Sequence, residues 1–182
     1  YIRRAFPSTG HLYEGQPPAD FTTMEMGRFE LDAGDASDMS DLTSFIALAE
    51  SLAPGDLWSG LAPRMHADTV RQTLAAELWI GHWDGYAVSR NNYYAHFDAD
   101  GLLTLMTWGV DQTLDDHRDP FSGSALLFRA CMSDLDCRRA YALDLRAISR
   151  LVTSGDLVGE MRETYAAIRP YMLLDPRRGV DQ

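Results

Sequence analysis

Two strand-like segments near the middle of the chain flank a turn sequence. Residues 93–97 read "YYAHF", residues 98–101 read "DADG", and residues 102–108 read "LLTLMTW". Aromatic and apolar residues on both sides of an Asp-Gly turn are typical of a β-hairpin. A four-residue turn predicts the following cross-strand pairs: Phe97 with Leu102, Tyr93 with Met106, and Asn92 with Thr107.

Helical periodicity dominates most of the remaining chain. Apolar residues at helical spacing predict helices from Ser40 to about Leu52, from about Asp68 to Gly81, and over residues 122–131, 134–152 and 156–169. Pro170 is expected to end the last of these helices. Residues 1–34 show no helical period and are expected to form turns and short strands. Because strands and helices are segregated along the chain, the predicted fold class is α+β and mostly helical.

Four polar residues flank the predicted hairpin. Asp84 lies in the loop before the first strand, Asn91 and Asn92 directly precede that strand, and Asp111 follows the second strand. The two open ends of a hairpin lie beside each other, so we expect these side chains to meet at one mouth. The sequence therefore predicts an active-site hairpin at residues 91–110.

Carboxylates and amides at one mouth suit phosphoryl transfer. One carboxylate accepts or orients the proton of the attacking hydroxyl, while a second carboxylate and an amide oxygen hold Mg²⁺ against the phosphates. In this interpretation Asp84 is the catalytic residue, and Asp111 is the principal metal ligand together with Asn91 or Asn92. The structural alternative is that Asp-Gly and Asn-Asn form turns and that Asp111 caps a helix.

The charge composition excludes several kinds of partner and chemistry. The formal net charge is −11, which opposes binding to a phosphate backbone, so no nucleic-acid partner is expected. All 16 basic residues are arginine. The absence of lysine excludes Schiff-base chemistry and a lysine that contacts phosphate within these residues.

Several segments resemble the spore-coat-protein-H (CotH) kinase-like family. The sequences "GHWDGYAVSRNNYY" (residues 81–94) and "TWGVDQT" (residues 107–113) look like the Trp-Asp loop, the Asn-Asn-Tyr-Tyr strand entry and the Trp-x-x-Asp segment of that family. The segment "GHLYEG" (residues 10–15), the helix before Gly81 and the helical tail extend the resemblance over most of the chain.

The resemblance implies an atypical protein kinase that uses ATP with Mg²⁺ or Mn²⁺. Its substrates would be Ser or Thr residues of secreted or coat proteins. By position, Asp84 carries over as the catalytic Asp and Asp111 as the metal-binding Asp. Asn91, Asn92 and Asp111 would hold the metal and its nucleotide, and the choice between the two asparagines stays open.

Two departures from ordinary kinases shape the expected domain organisation. Asp84 and Asn91 are seven residues apart, against five in ordinary protein kinases. An ATP-covering lobe also needs a cationic phosphate ligand and several strands, and this chain has no lysine. Residues 1–182 are therefore expected to form the C-terminal lobe of the fold, with the N-terminal lobe upstream of Tyr1. The chain alone is expected to be inactive as a kinase.

The two cysteines, Cys131 and Cys137, bear on the compartment of the protein. Ser133 and Asp134 are residue types that begin helices, and they predict a helix junction between the cysteines. A junction allows a disulfide, and two free thiols are the alternative. A disulfide would indicate an oxidising, extracytoplasmic location. No signal peptide is visible, and no run approaches the roughly 20 apolar residues of a membrane span.

Two rival functions stay open. A glycoside hydrolase also uses two carboxylates, and Trp83, Tyr86 and Trp108 could stack on sugars, although core packing is the favoured interpretation of these rings. A non-catalytic cell-surface or adhesion module with a kinase-like fold also fits the acidic composition.

Three further polar features receive structural interpretations. The acidic run from Asp115 to Asp119 is expected to be a solvated loop rather than a cation site. Glu77 is interpreted as a solvated side chain on a helix face, with a contact to Arg90 or to a loop amide as the alternative. His82 is expected to make a hydrogen bond within its loop.

Overall fold

A small antiparallel sheet and a set of helices make up the computed structural model, which describes residues 10–114 and 119–176. The strands are β1 (His11–Gly15), β2 (Phe29–Ala33), β3 (Tyr93–Phe97) and β4 (Leu103–Thr107), in the order β2-β1-β3-β4. The helices are α1 (Ser40–Ser51), α2 (Leu57–Leu61), α3 (Ala67–Trp79), α4 (Tyr86–Ser89), α5 (Leu126–Ser133), α6 (Leu135–Ser154) and α7 (Leu157–Leu174). The expected mostly helical α+β class is confirmed.

The hairpin is present, but its predicted register is wrong by one residue. Phe97 pairs with Leu103, and Tyr93 pairs with Thr107. The cause is the turn, in which Gly101 adopts a left-handed conformation (φ +73°) and Leu102 pairs back to Asp98. The Asp98 carboxylate fixes this wider turn by accepting the backbone N–H groups of Asp100 and Leu102, each at 2.9 Å.

The corrected register decides which way the end of β4 faces. Directly paired residues in an antiparallel sheet project to the same side. Tyr93 is fully buried, so its partner Thr107 also projects toward the core rather than away from it. The predicted pairing of Asn92 with Thr107 is replaced by a hydrogen bond from the backbone N–H of Trp108 to the carbonyl of Asn92 (3.0 Å).

The two helices before the hairpin bury the apolar faces that the sequence predicts. The buried residues of α1 are Leu42, Phe45, Ile46 and Ala49, and those of α3 include Val70, Leu74 and Leu78. Gly81 follows α3 in the left-handed conformation (φ +64°), as expected for a glycine at a helix C-terminus.

An aromatic cluster joins α1 and α4 to the sheet. The ring centroids of Phe21 and Phe45 are 5.1 Å apart, and those of Tyr86 and Tyr93 are 4.7 Å apart. Tyr86 and Tyr93 are fully buried. Because Tyr86 lies two residues after Asp84, the core fixes the backbone on which Asp84 is carried.

The C-terminal helices differ from the prediction at two boundaries. Helix α5 begins at Leu126 rather than at residue 122, because residues before it form turns in which the Asp119 carboxylate accepts the backbone N–H of Phe121. Helix α7 continues through Pro170 to Leu174 instead of ending there. Proline removes one backbone donor, and the surrounding residues of α7 are exposed, so the unpaired carbonyl of Ala166 can bind water.

The chain divides into two compact units, with the boundary between Leu145 and Arg146. The first contains the sheet, helices α1 to α5 and the beginning of α6. In the second, α7 starts with Asp156, whose carboxylate accepts the backbone N–H of Gly159 at 2.9 Å. Within the described residues, no helix combines the length and apolarity that crossing a membrane requires.

Cys131 and Cys137 form a disulfide across the junction between α5 and α6. Asp134 lies at this junction, and its carboxylate accepts the backbone N–H of Cys137 at 2.8 Å. The predicted helix start between the cysteines is therefore confirmed.

Replacing both cysteines with alanine is expected to lower the free energy of unfolding by about 2 kcal/mol, because the bridge limits the entropy of the unfolded chain across a short loop. Urea unfolding followed by circular dichroism measures this loss. Dithiothreitol should produce a similar loss in the unmodified protein and none in the double variant. An equal effect of reductant on both proteins would contradict the prediction.

Candidate active site

The loop between α3 and α4 brings Asp84 to the open end of the hairpin. Helix α4 follows this loop, and the residue after it, Arg90, has a left-handed conformation (φ 55°). Asn92 is also left-handed (φ 50°). These two conformations turn the chain sharply into β3 and bring both asparagines back toward Asp84.

The Asp84 carboxylate accepts one hydrogen bond from each asparagine. Its Oδ1 accepts from Nδ2 of Asn91 at 3.1 Å, and its Oδ2 accepts from Nδ2 of Asn92 at 2.9 Å. Asn92 is 9% exposed, whereas Asp84 and Asn91 are half-buried. The structure thus joins three of the four residues that the sequence places at the hairpin mouth.

Both amide oxygens at this mouth stay free of hydrogen bonds within the described part of the chain. Each asparagine uses its NH₂ group on Asp84, which leaves its Oδ1 as an acceptor. A carboxylate has about four lone-pair positions, so Asp84 also retains accepting capacity after these two bonds. Asp84 can therefore accept a further hydrogen bond or a proton.

Asp111 lies on a neighbouring segment that is anchored on both sides. Gly109 packs on Asn92 so closely that a Cβ at this glycine would lie 2.9 Å from Cγ of Asn92. The Gln112 carbonyl accepts a hydrogen bond from Nδ1 of His82 at 3.1 Å. His82 is completely buried, and its side-chain hydrogen bond joins its loop to the segment after β4 instead of staying within its own loop as expected.

The side chain of Asp111 is not joined to the Asp84 cluster. Asp111 is exposed, and its carboxylate makes no hydrogen bond or ion pair with any described residue. Residues 10–114 and 119–176 also contain no group of three or more His, Cys, Asp or Glu side chains arranged to hold a metal ion. Asp115 and Asp116 of the acidic run lie outside the described residues, and so do His117 and Arg118.

Glu77 is a functional candidate for which the favoured sequence interpretation is wrong and the alternative, a contact with an amide of the following loop segment, is the one observed. It is 2% exposed rather than solvated, and burial raises the pKa of its carboxyl group above the usual range. Its carboxylate accepts the backbone N–H of Ala87 and the hydroxyl of Thr107. The helical spacing indicated that Glu77 is buried, because Val70, Leu74 and Glu77 fall at i, i+4 and i+7 on the same apolar helix face.

Asp20 is a second buried carboxylate that sequence analysis did not identify. It is 2% exposed and accepts the Tyr86 hydroxyl at 2.9 Å and the backbone N–H of Leu126 at 2.8 Å. Burial is the main cause of its raised pKa. No periodic pattern surrounds Asp20, so only the tertiary structure reveals its role in joining the N-terminal segment to α4 and α5.

The aromatic residues of the mouth divide into one core ring and two half-exposed rings. Tyr86 is fully buried, which confirms the favoured interpretation for that residue. Trp83 and Trp108 are 39% and 40% exposed, so the same interpretation is wrong for them. The Trp108 ring lies 6.1 Å from that of Tyr94. Trp83 directly precedes Asp84, and the backbone N–H of Trp108 donates to the carbonyl of Asn92, but neither indole ring makes a hydrogen bond to the Asp84 carboxylate within the described residues.

The chain belongs to the CotH kinase family. The model of that family, described as CotH kinase protein, matches residues 2–181, which is nearly the whole chain. Among curated proteins, none matches the chain significantly. The resemblance noted from the Trp-Asp loop and the Trp-x-x-Asp segment is thus confirmed at the level of the family, whose members are kinase-like proteins.

Proposed function

We propose that this chain is the catalytic-loop portion of a CotH-type atypical kinase, which transfers the ATP γ-phosphate to Ser or Thr of secreted or coat proteins. The observation that carries the proposal is the Asp84 carboxylate held between the amides of Asn91 and Asn92. This arrangement leaves a fixed acceptor for the proton of an attacking hydroxyl beside two free amide oxygens. Membership of the CotH kinase family supports the reaction class.

The oxygen donors at the mouth fit a divalent cation. Mg²⁺ prefers carboxylate and carbonyl oxygens and usually binds few protein ligands, with phosphate and water oxygens completing its shell. Asn91, Asn92 and Asp111 offer this chemistry, and the exposed Asp111 carboxylate has no competing partner among the described residues. When bound, the metal would neutralise charge on the phosphates.

The chain offers few cationic groups near the mouth that could bind the phosphates of ATP. It contains no lysine. Arg90, the basic residue nearest in sequence to the mouth, donates to Oε1 of Glu25 at 3.2 Å instead. We therefore propose that an ATP-covering lobe with the cationic phosphate ligand is encoded upstream, and that the present chain corresponds to the C-terminal lobe.

An extracytoplasmic location follows from the same proposal. The disulfide between Cys131 and Cys137 favours an oxidising compartment, where such bonds persist. Secreted or coat proteins with exposed Ser or Thr residues would meet the enzyme there.

The proposal predicts metal-dependent phosphate transfer that requires Asp111. The chain together with its upstream sequence is incubated with labelled ATP, Mg²⁺ or Mn²⁺, and a Ser-rich acceptor protein. We expect labelling that EDTA abolishes and that falls at least tenfold in Asp111→Ala, since loss of one oxygen ligand weakens the metal site. Labelling that survives both EDTA and Asp111→Ala would overturn the assignment.

A non-catalytic surface module with a kinase-like fold is the second candidate. The favouring observation is that the Asp111 carboxylate stands exposed and apart from the hydrogen-bonded Asp84 cluster. Absence of labelling, together with absence of a nucleotide-induced change in melting temperature, would favour this candidate over the kinase.

A further inference from the structure

The buried carboxylate of Glu77 bridges the two segments that carry the candidate site. Its Oε2 accepts the backbone N–H of Ala87 at 2.9 Å, in the first turn of α4. Its Oε1 accepts the hydroxyl of Thr107 at 2.5 Å, at the last residue of β4. A single side chain thus links the helix that follows Asp84 to the strand that precedes Asp111.

Both residues that Glu77 contacts lie close to the candidate site along the chain. Ala87 lies three residues after Asp84 on a backbone that Tyr86 anchors in the core. Thr107 precedes Trp108, whose backbone N–H donates to the carbonyl of Asn92 at 3.0 Å. Asn92 in turn donates to Asp84. Glu77 is therefore connected to Asp84 by two routes: along the backbone from Ala87, and through β4 and the hydrogen bonds of Asn92.

The loop itself packs directly against this carboxylate. A Cβ at Gly85 would lie 3.0 Å from Cδ of Glu77 and 2.6 Å from Cδ2 of His82. His82 holds the Gln112 carbonyl, next to Asp111. Glu77 and His82 therefore confine Gly85, the residue after Asp84, and leave little room for the loop to shift.

Packing alone does not explain a carboxylate at this buried position. Burying a charged group costs several kcal/mol unless hydrogen bonds compensate, and an apolar side chain of similar volume would fill a core position at less cost. The hydrogen bonds to Ala87 and Thr107 are what an apolar residue could not provide. The position therefore serves orientation rather than packing.

We propose that Glu77 is the positioning residue that holds the Asp84, Asn91 and Asn92 cluster in register with the segment that bears Asp111. Its effect on catalysis rests on the proposed kinase function, whereas its effect on the geometry of the cluster does not. Small displacements of a catalytic group reduce rates strongly, so loosening this bridge should lower turnover without removing any group that touches the substrate.

The test removes the bridge at its Thr107 end, where the change in shape is smallest. Thr107→Val deletes the hydroxyl bound to Glu77 and keeps the side-chain volume, whereas Thr107→Ser restores a hydroxyl. Thr104→Val is the matched control, because Thr104 is a buried threonine of the same strand, three residues away and on the opposite face of the strand from Thr107. The side-chain amide NMR signals of Asn91 and Asn92 report the cluster directly in the chain as it stands.

We expect Thr107→Val to shift both asparagine side-chain signals, and Thr107→Ser to return them toward their original positions. In the chain with its upstream sequence, Thr107→Val should lower kcat by about 10- to 100-fold with little change in the KM for the acceptor. Unshifted signals in Thr107→Val, or equal shifts in Thr104→Val, would overturn the inference. Shifted signals without phosphate transfer by any variant would uphold Glu77 as a positioning residue and count against the kinase function.

Discussion

Replacing Asp84 with asparagine is expected to lower the rate of phosphate transfer by about 10²- to 10⁴-fold in the chain with its upstream sequence. A positioned acid or base contributes rate factors of this order, and an amide cannot accept the proton of the attacking hydroxyl. The change also places an NH₂ group against the donors of Asn91 or Asn92, so one of the two observed hydrogen bonds is lost. The measurement is the initial rate of label transfer at saturating metal and ATP.

Asp100→Asn provides the matched control for this prediction. Asp100 belongs to the same hairpin and is exposed, but it lies in the turn at the opposite end from Asp84. Its variant should transfer phosphate at the unmodified rate, and both variants should keep the circular dichroism spectrum of the unmodified protein. An Asp84→Asn variant that retains more than a tenth of the activity would remove Asp84 from the catalytic role.

The hairpin illustrates how far local sequence patterns predict this fold. Aromatic and apolar residues around an Asp-Gly turn indicated both strands correctly, because side-chain patterning and turn chemistry act locally. The register was wrong because the left-handed Gly101 and the Asp98 carboxylate together widen the turn by one residue. That single residue turns Thr107 toward the core, where it reaches Glu77.

The sequence predicted the part of the candidate site whose residues are close together along the chain. Asp84, Asn91 and Asn92 are close in sequence, and two left-handed residues fold them onto one another. Asp111 belongs to a segment whose backbone is fixed by Gly109 and His82, but its own side-chain direction depends on a turn that no residue pattern specifies.

Glu77 and Asp20 show why the buried polar contacts could be identified only from the structure. Glu77 falls on the apolar face of α3, yet its charge favoured a solvated position, and only its partners Ala87 and Thr107 explain the burial. Asp20 lies in a segment without periodicity, and one of its partners, Leu126, is 106 residues away. Such partners are set by tertiary packing, which local propensities do not encode.

Asp20→Ala is expected to cost about 3 kcal/mol of unfolding free energy, because it leaves buried donors without acceptors. The Asp20 carboxylate accepts the backbone N–H of Phe21, the hydroxyl of Tyr86 and the backbone N–H of Leu126. Urea unfolding at pH 7 measures the loss. Glu50→Ala is the matched control, since Glu50 also accepts a backbone N–H and a hydroxyl, both from Thr23, but is exposed and should matter far less.

The pH dependence of this difference distinguishes a buried carboxylate from a simple packing defect. Burial raises the pKa of Asp20, so the folded state holds its proton more tightly than the unfolded chain does. Stability from this group must then fall as pH rises from about 4 through the raised folded pKa. The unfolding free energy of the unmodified protein, relative to Asp20→Ala, should therefore grow as pH is lowered toward 4. A difference that stays constant between pH 4 and pH 7 would mean that the folded and unfolded states bind the Asp20 proton equally, which would contradict the raised pKa.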